Sequence, residues 1–537
     1  MKNYAGRLTT LILAVVLAFT LAACQSGNGK NDTEEILIGE SVDFASFDPI
    51  GIYDGQGFYH YSKLVYETLV DFENGSAVPS LAESWESNGT VWTFHLRKGV
   101  TFTDGTAFNA EAVKLNLDTM RENMMDAISY YGGVSGITEI EVNDEYTVTF
   151  RYDKPYYAVL QDLSAGGFGI LSPKLFADGN LPYGNVLNES AGTGPYRIRE
   201  GAYTDGASYT FVRNENYYGG GAAGPDQFTV KIIPDADSRM MALQSGEIDL
   251  LYGTYQVTYD MFDYLAKLDN VEAVQSETTY ATRNLLLNTA SGILKDLRVR
   301  QAIQHGTDKQ QINNTVLHGF ESVADTLFPS DLPYCDVEQI VYSYDRDLAS
   351  SLLDEAGWSE TNAQGIRVKD GQTLSLNVIY MSERSADEQI LMAFKGQMAE
   401  IGIEININGY ETMTWFEKGM AGEFDISVND TYGFPQDPHV FIAAMLDYGL
   451  DNPAQQGLEQ KPEIDARITA ILNATDDEVI RQAYQYILTT LQKEAVNLPI
   501  SNIREMAIFN SDKIESVRFS DDPTCCDVSG IIQKTLP

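Results

Sequence analysis

The sequence predicts a mixed α/β fold built from more than one packed unit. Segments with strand-like alternation and segments with helical spacing follow one another along most of the chain, which is typical of an α/β architecture. The 537 residues are too many for one ordinary hydrophobic core, so we expect two or three packed units. Hydrophobic residues make up 44% of the chain and charged residues 21%, which is the balance of a soluble globular protein.

The first residues have the pattern of an export signal. Lys2 and Arg7 give the segment a positive start. The uncharged apolar run 11–23 is near the length of a signal-peptide core and is short for a membrane span. Its ending, LAAC at 21–24, resembles the lipobox of bacterial lipoproteins, in which the cysteine is acylated and becomes the new N-terminus.

This pattern predicts a lipoprotein signal peptide over residues 1–23 and lipidation of Cys24. Residues 24–34 are small and polar, as a flexible tether between a lipid and a folded domain should be. Apart from the leader, the sequence has no apolar run long enough to span a bilayer. We therefore expect an extracytoplasmic protein that contacts the membrane through its lipid alone.

Strand and helix signals alternate after the tether. Residues 35–39 (EILIG) predict a short strand, and residues 59–70 have helical spacing. Residues 91–97 and 146–152 alternate apolar and polar side chains, as half-buried strands do.

Helices are predicted between and after these strands. Residues 110–125 predict a helix with Asn109 as its N-cap, and residues 392–401 predict a helix followed by a strand at 404–407. Residues 464–491 are predicted to be largely helical.

The net charge argues against binding to nucleic acid or anionic lipid, and the cysteines argue against a structural zinc site. The formal charge is −41, and it becomes two units more negative when Lys2 and Arg7 leave with the leader. Such an acidic surface repels nucleic acid and anionic lipid. Cys335, Cys525 and Cys526 can form at most one disulfide, a bridge between the two neighbours would be strained, and no CxxC motif supports a structural zinc site.

Eight segments in a fixed order carry a family resemblance. They are VYETL (65–69), PSLAESW (79–85), WTFHLR (92–97) with GVTF (99–102), DG (104–105) with FNAE (108–111), GTGPY (192–196), RNENYY (213–218), QSGEID (244–249) and RVRQAI (298–303). This set resembles the family 5 extracellular solute-binding proteins, which serve peptide, nickel and related importers. GTGPY lacks the Lys-Ser/Thr ending of a phosphate loop. Its glycines instead predict a tight turn that enters a strand.

Further segments are similar to the nickel-binding branch of that family. They are IPD (233–235), LLYG (250–253), VADTLF (323–328), DPH (437–439) and QQGL (455–458).

The resemblance implies a two-lobed fold of the periplasmic-binding-protein type II, with an extra subdomain in the first lobe. The implied bounds are 35–278 plus 496–537 for the first lobe, about 76–189 for its inserted subdomain, 279–495 for the second lobe, and 278–284 and 497–501 for the strands that cross between them.

Aromatic, histidine and arginine residues in segments that the resemblance places at the cleft are the candidate contacts for cargo. Tyrosine and phenylalanine could supply flat walls and hydroxyls, histidine a metal ligand, and arginine a partner for an anionic chelate. Ordinary core and surface packing must account for most of the 31 tyrosines. The candidate ligand-binding residues are Tyr53, Tyr59, His60, Arg283, Tyr432, Phe434, Gln436 and His439, with His439 as the candidate metal contact.

The segment 431–439 bears most directly on cargo. In peptide-binding relatives a carboxylate a few residues before the Asp-Pro pair holds the ammonium group of the peptide, whereas this chain has Phe434 there. Nickel-binding relatives more often carry Asp-Pro-His, as here. Well-studied nickel binders also place a further histidine shortly afterwards, and 446–451 has none, while Asp126 and Ser129 occupy the place of their cleft arginines and tryptophan. These departures favour a nickel chelate over a bare nickel ion.

We therefore expect a monomeric, lipid-anchored binding protein of an ABC importer that captures a nickel chelate or a related metallophore, with permease subunits as partners and no cofactor. A receptor for short peptides is the alternative within the same family. An extracellular hydrolase is less favoured, because the sequence has neither GxSxG nor HExxH. A purely structural surface protein would not explain the ordered family segments.

Overall fold

A computed structural model describes most of the chain from residue 35 onwards. The described residues are 35–44, 46–49, 57–73, 75–129, 131–179, 182–183, 187, 189–204, 206–220, 224–254, 256–432, 438–522 and 524–534. The predicted signal peptide and tether, with Cys24, lie outside them.

The first part of the chain alternates short strands and helices. Its elements are β1 (Ile36–Glu40), α1 (Tyr59–Val65), β2 (Val70–Glu73), β3 (Ser76–Pro79), β4 (Ala82–Ser87), β5 (Val91–Leu96), α2 (Ala110–Ile128), α3 (Gly132–Ser135), β6 (Ile137–Asp144), β7 (Thr147–Tyr152), α4 (Val159–Leu163) and 3-10 turns at Gly166–Phe168 and Pro173–Gly179.

Two sequence predictions in this part have different outcomes. Asn109 caps α2 as predicted, because its side-chain oxygen accepts a hydrogen bond from the amide of Ala112 at 3.0 Å. The predicted helix over 59–70 is wrong in its second half. Tyr66 has extended backbone angles and ends α1, and Val70 already begins β2.

The middle of the chain leads into the longest strand. Its elements are β8 (Tyr196–Thr204), β9 (Ser208–Arg213), β10 (Gln227–Ile232), α5 (Ala236–Ser245), β11 (Leu250–Tyr252), α6 (Tyr259–Leu265) and β12 (Val271–Leu287).

The next part forms α7 (Leu297–Gly306), α8 (Lys309–Thr315), β13 (Ser322–Val323), α9 (Arg346–Glu355), β14 (Glu360–Thr361), β15 (Arg367–Lys369), β16 (Gln372–Thr373), β17 (Ser375–Met381), α10 (Ser385–Glu400), β18 (Glu404–Tyr410), α11 (Thr412–Met420) and β19 (Ile426–Val428).

The last part forms α12 (His439–Ala444), α13 (Asp451–Gln455), α14 (Lys461–Leu472), α15 (Asp477–Lys493), β20 (Asn497–Asn510), β21 (Ile514–Ser516), a 3-10 turn at Val528–Gly530 and β22 (Ile532–Gln533). The predicted helical stretch 464–491 is therefore two helices. They are separated because Asn473 leaves the helical region and Asp476 starts the second helix by accepting a hydrogen bond from the amide of Glu478 at 3.0 Å.

One eleven-stranded sheet runs through the molecule. Its order is β18-β17-β19-β12-β20-β11-β1-β10-β9-β8, with β13 paired to β20 at the side. The antiparallel pair β12 and β20 lies at its centre and contains both predicted crossing segments, 278–284 and 497–501. The described chain is thus mixed α/β, as the sequence predicts.

A separate antiparallel sheet, in the order β4-β5-β7-β6, lies within the residues predicted to form the inserted subdomain. Helix α2 contacts β6 and β7 of this sheet. Apolar side chains that alternate along β5 and β7, such as Phe94 and Phe150, point from the sheet into a shared core.

The buried apolar side chains of the described residues form three clusters. The first cluster, which includes Phe94 and Phe211, fills the N-terminal part of the chain. The second cluster joins α5 and α6 to α7, α10 and the strands β12 and β17. The third cluster is formed around α12, α14 and α15. Helix α12 contributes to two of them, since Val440 belongs to the first cluster whereas Phe441 and Ile442 belong to the third.

Candidate functional site

A network of polar side chains lies at the carboxyl ends of three neighbouring strands. Strand β1 pairs in parallel with β10 and with β11, and Glu40 is its last residue. The side-chain amide of Gln256 donates to Glu40 Oε1 at 2.5 Å, and its oxygen accepts from the amide of Ser41 at 2.8 Å. Ligands of open α/β sheets bind outside the carboxyl ends of parallel strands, so this edge is a candidate binding surface.

Helix α1 brings two predicted site residues to this edge. His60 Nδ1 lies 2.9 Å from Glu40 Oε2, and the His60 side chain is 26% exposed. Burial lowers the pKa of His60, but the charge of Glu40 and their hydrogen bond outweigh it, so the pKa is raised overall. Tyr59 precedes it on the same helix and is half-buried.

Glu505 on β20 completes this polar group, which we call the Glu40 cluster (Glu40, His60, Gln256 and Glu505). The side chain is buried, and its Oε2 accepts a hydrogen bond from the amide of Thr254 at 3.3 Å. Burial raises the pKa of Glu505 to about 8, although the Thr254 amide and the charge of His60 act in the opposite direction. The cluster therefore holds a carboxylic acid that keeps its proton near neutral pH.

Arg283 lies in a different group of charges. Its guanidinium donates to both carboxylate oxygens of Glu321 at 3.0 and 3.1 Å, to Asp387 at 3.1 Å and to the hydroxyl of Tyr259 at 2.9 Å. A second acid, Asp430, lies 3.9 Å away. This geometry disfavours the predicted ion pair between Arg283 and an anionic chelate, because the protein's own carboxylates already neutralise the buried guanidinium.

The Arg283 group joins distant parts of the fold. Tyr259 comes from α6 and Asp387 from α10, and both helices pack in the second cluster. Burial and the charge of Asp430 raise the pKa of Asp387 to about 6, although Arg384 and Arg283 act against them.

His439 begins α12 and has no exposed surface. Its Nε2 lies 2.7 Å from Oδ1 of Asp162 on α4, and the Asp162 side chain is also completely buried. The carboxylate thus orients the imidazole ring through Nε2, and the role of His439 as a metal contact stays a prediction.

The remaining predicted site residues fall into two sets. Tyr432 is described, is 45% exposed, and has its ring centre 5.0 Å from that of Phe441. Tyr53, Phe434 and Gln436 lie outside the described residues. The structure thus places Tyr59 and His60 side by side, and it places Arg283 and His439 in two other groups of charges.

Sequence reasoning missed several partners in these groups. Asp162, Glu321 and Asp387 were not singled out, and neither was Glu505. The chain contains 77 Asp and Glu residues, and these four have no local pattern that distinguishes them. Only the pairing of distant segments in the fold identifies them.

Metal-binding groups, membrane-spanning helices and disulfides are absent from the described residues. Within those ranges, no group of three or more His, Cys, Asp or Glu side chains could hold a metal ion. None of the helices that the structure describes has the length and apolar character to cross a membrane. The buried residues Cys335, Cys525 and Cys526 are not joined by a disulfide in this part of the chain.

Comparison with known proteins identifies relatives over most of the chain. The sequence model of the bacterial extracellular solute-binding proteins, family 5 Middle, matches residues 76–452. The nickel-binding periplasmic protein of Escherichia coli is 33% identical over 454 residues, which are 83% of this chain and 85% of the relative. The glutathione-binding protein GsiB of Pectobacterium atrosepticum is 26% identical over 385 residues, 70% of either chain.

A solved structure matches the fold closely. The crystal structure of NikA from Brucella suis in complex with Fe(III)-EDTA has a TM-score of 0.88 and 34% sequence identity, and the match covers 93% of this chain and 100% of that chain. The expected two-lobed fold of the periplasmic-binding-protein type II is thereby confirmed.

Proposed function

Because the chain belongs to the family 5 bacterial extracellular solute-binding proteins, which are binding proteins and not enzymes, we propose that it captures a nickel chelate for an ABC importer. The observation that carries the proposal is the identity of 33–34% with two relatives, each matched over more than four-fifths of this chain. One is a nickel-binding protein, and the other holds a metal inside an organic chelator.

The side chains of the described residues support a chelate over a bare ion. A hydrated nickel ion would need several nitrogen, sulfur or oxygen ligands from the protein. The described residues hold no group of three or more His, Cys, Asp or Glu side chains that could bind such an ion. A chelate brings most of its own ligands, and it needs from the protein a shaped cleft with a few polar contacts.

The cleft of this proposal lies between two lobes that move about β12 and β20. The first lobe comprises 35–278 and the C-terminal residues from 496, with the inserted subdomain at about 76–189, and the second lobe comprises 279–495. Tyr59 and its neighbour His60 would face cargo from the first lobe, and Tyr432 would face it from the second. Cargo that binds the closed form better than the open form would shift the protein towards closure.

The location of the protein follows from its leader. Cleavage after Ala23 and acylation of Cys24 would hold it at the outer face of the cell membrane, beside the permease subunits that receive the cargo. The polar residues 25–34 would act as the tether.

A thermal-shift measurement tests the proposed cargo. The protein without residues 1–24 is heated with nickel or cobalt, each with and without histidine, with nickel–EDTA, and with di- to pentapeptides. A chelate at 100 times its dissociation constant stabilises the folded protein by about 2.7 kcal/mol, which gives a clear rise in melting temperature. Histidine alone and nickel alone are the controls that separate a chelate from its parts.

A rise with peptides and none with metal chelates would contradict the proposal. It would favour the alternative of a peptide receptor, which the 26% identity to GsiB fits and which Phe434 in place of a carboxylate opposes.

A further inference from the structure

The two lobes touch each other at a buried contact away from the crossing strands. His439 begins α12 in the second lobe, and Asp162 lies on α4 in the inserted subdomain of the first lobe. Their side chains meet at 2.7 Å, and neither has exposed surface.

Asp162 is held in place from its own side of this contact. Its second oxygen, Oδ2, accepts a hydrogen bond from the amide of Gly133 on α3 at 2.7 Å. A Cβ at Gly133 would lie 2.8 Å from the Cβ of Asp162, so a glycine is needed for α3 and α4 to approach this closely. One carboxylate oxygen is thus fixed by the first lobe, and the other faces the second lobe.

Two more contacts surround the pair. The ring of Tyr157, in the inserted subdomain, meets the His439 ring edge-on with centres 5.8 Å apart, and its hydroxyl lies 3.3 Å from that of Tyr484 on α15. Val440, next to His439, packs in the first cluster, although Phe441 and Ile442 of the same helix belong to the third. The first turn of α12, in the second lobe, therefore packs against side chains of the first lobe.

From this geometry we propose that His439 and Asp162 form an interlobe pair that stabilises the closed form and so sets the affinity for cargo, without touching cargo. The inference rests on the proposed function in two respects, that the two residues belong to different lobes and that closure of the lobes captures the cargo. It assigns His439 a positioning role in place of the metal contact expected from the sequence.

The pair contributes to affinity through the closed population. Opening the lobes separates the two side chains and hydrates both, so the hydrogen bond to a carboxylate is made only in the closed form. Apparent affinity is reduced in proportion to the fraction of protein that is closed. Removal of the pair is therefore expected to weaken binding about tenfold, and by the same factor for every cargo.

The test uses the purified protein and the variants His439→Ala, Asp162→Ala and their combination. Dissociation constants are measured for nickel–histidine, nickel–EDTA and any peptide that the wild type binds, and the radius of gyration is measured by X-ray scattering with and without these probes. His305→Ala is the matched control, because His305 Nδ1 contacts the carbonyl of Ser343 at 2.7 Å within the second lobe.

The proposal expects each single variant to weaken all probes equally, the double variant to be no weaker than either single, and the scattering to show a less closed protein. His439→Gln, which keeps a side-chain N–H, should recover part of the loss. Weakened binding of metal probes alone, with closure intact, would overturn the proposal and make His439 a contact of the metal. Additive losses in the double variant would also overturn it, because two coupled groups are not additive.

Two measurements separate a failure of the pair from a failure to fold and from a failure of the proposed function. Tyr157→Phe removes the hydroxyl contact with Tyr484 and keeps the ring beside His439, and it should shift closure in the same direction by a smaller amount even if an alanine variant fails to fold. Urea unfolding of the wild type, the single variants and the double variant, each saturated with a probe, gives a double-mutant cycle for the closed form. If the wild type binds none of the probes, the proposed function fails, while an absence of coupling in this cycle would refute the pair itself.

Discussion

Replacing Glu505 by glutamine should remove a large part of the pH dependence of stability. Burial raises the pKa of Glu505 to about 8 in the folded protein, from an ordinary value of 4.5. Between these two values the unfolded chain has lost the proton and the folded protein keeps it. Unfolding therefore becomes easier as the pH rises through this window.

The size of the effect follows from the two pKa values. Each pH unit between them is worth about 1.4 kcal/mol, so the folded protein loses about 4 kcal/mol of stability between pH 4.5 and pH 8 through this one group. The neighbour His60 adds to the fall, because its raised pKa contributes stability below about pH 6.5 that is lost as the pH rises through its folded value. Glutamine keeps the shape of Glu505 and cannot ionise.

The assay is urea unfolding at pH 5.5, 6.5, 7.5 and 8.5, with the free energy of unfolding plotted against pH. We expect the slope for Glu505→Gln to be shallower than that of the wild type by about 1.4 kcal/mol per pH unit up to pH 7.5. The control is Glu277→Gln, which changes an exposed acid and should leave the slope unchanged. Equal slopes for the wild type and Glu505→Gln would refute the reasoning, since the buried acid would then already be ionised at neutral pH.

Three other substitutions have definite outcomes. Arg283→Met leaves Glu321, Asp387 and Asp430 without their shared cation, so urea unfolding should show a loss of about 3–5 kcal/mol; normal stability with lost chelate binding would instead make Arg283 a cargo contact. Gly192→Ala should cost more than about 2 kcal/mol in the same assay, because its Cβ would lie 1.9 Å from the carbonyl oxygen of Val65; an unchanged unfolding midpoint would contradict this. Cys24→Ser should move the protein from the membrane to the soluble fraction and abolish labelling by radioactive palmitate, whereas retention of the label would place the lipid elsewhere.

Local features of the fold could be predicted because they depend on neighbouring residues. The N-cap at Asn109 follows from a polar side chain placed directly before a helical pattern. The strand β5 follows from the alternation of apolar side chains in VWTFHL. The end of α1 was not predicted, because residues 66–69 continue the apolar spacing of the helix. Their backbone instead bonds to a distant segment, since the amide of Ala82 donates to the carbonyl of Leu69.

The roles of the charged residues could not be predicted in the same way. Arg283 and Asp387 are 104 residues apart, and His439 and Asp162 are 277 apart. Neither spacing has a local signature, so an arginine and a histidine near an expected cleft appeared equally suited to bind cargo. Which charged groups face each other was decided by the packing of distant helices.

The arrangement of β12 and β20 also affects how the protein could be recombined. The segment between these strands starts at the end of β12 and returns at the start of β20, and these two ends are adjacent and antiparallel, as in the pairs Leu286 with Asn497 and Asn284 with Pro499. A chimera that exchanges the intervening segment with a relative would therefore need only two junctions, lying side by side on one ladder. If the proposed lobe bounds are right, such an exchange would replace the side of the proposed cleft that belongs to the second lobe and leave the first lobe unchanged.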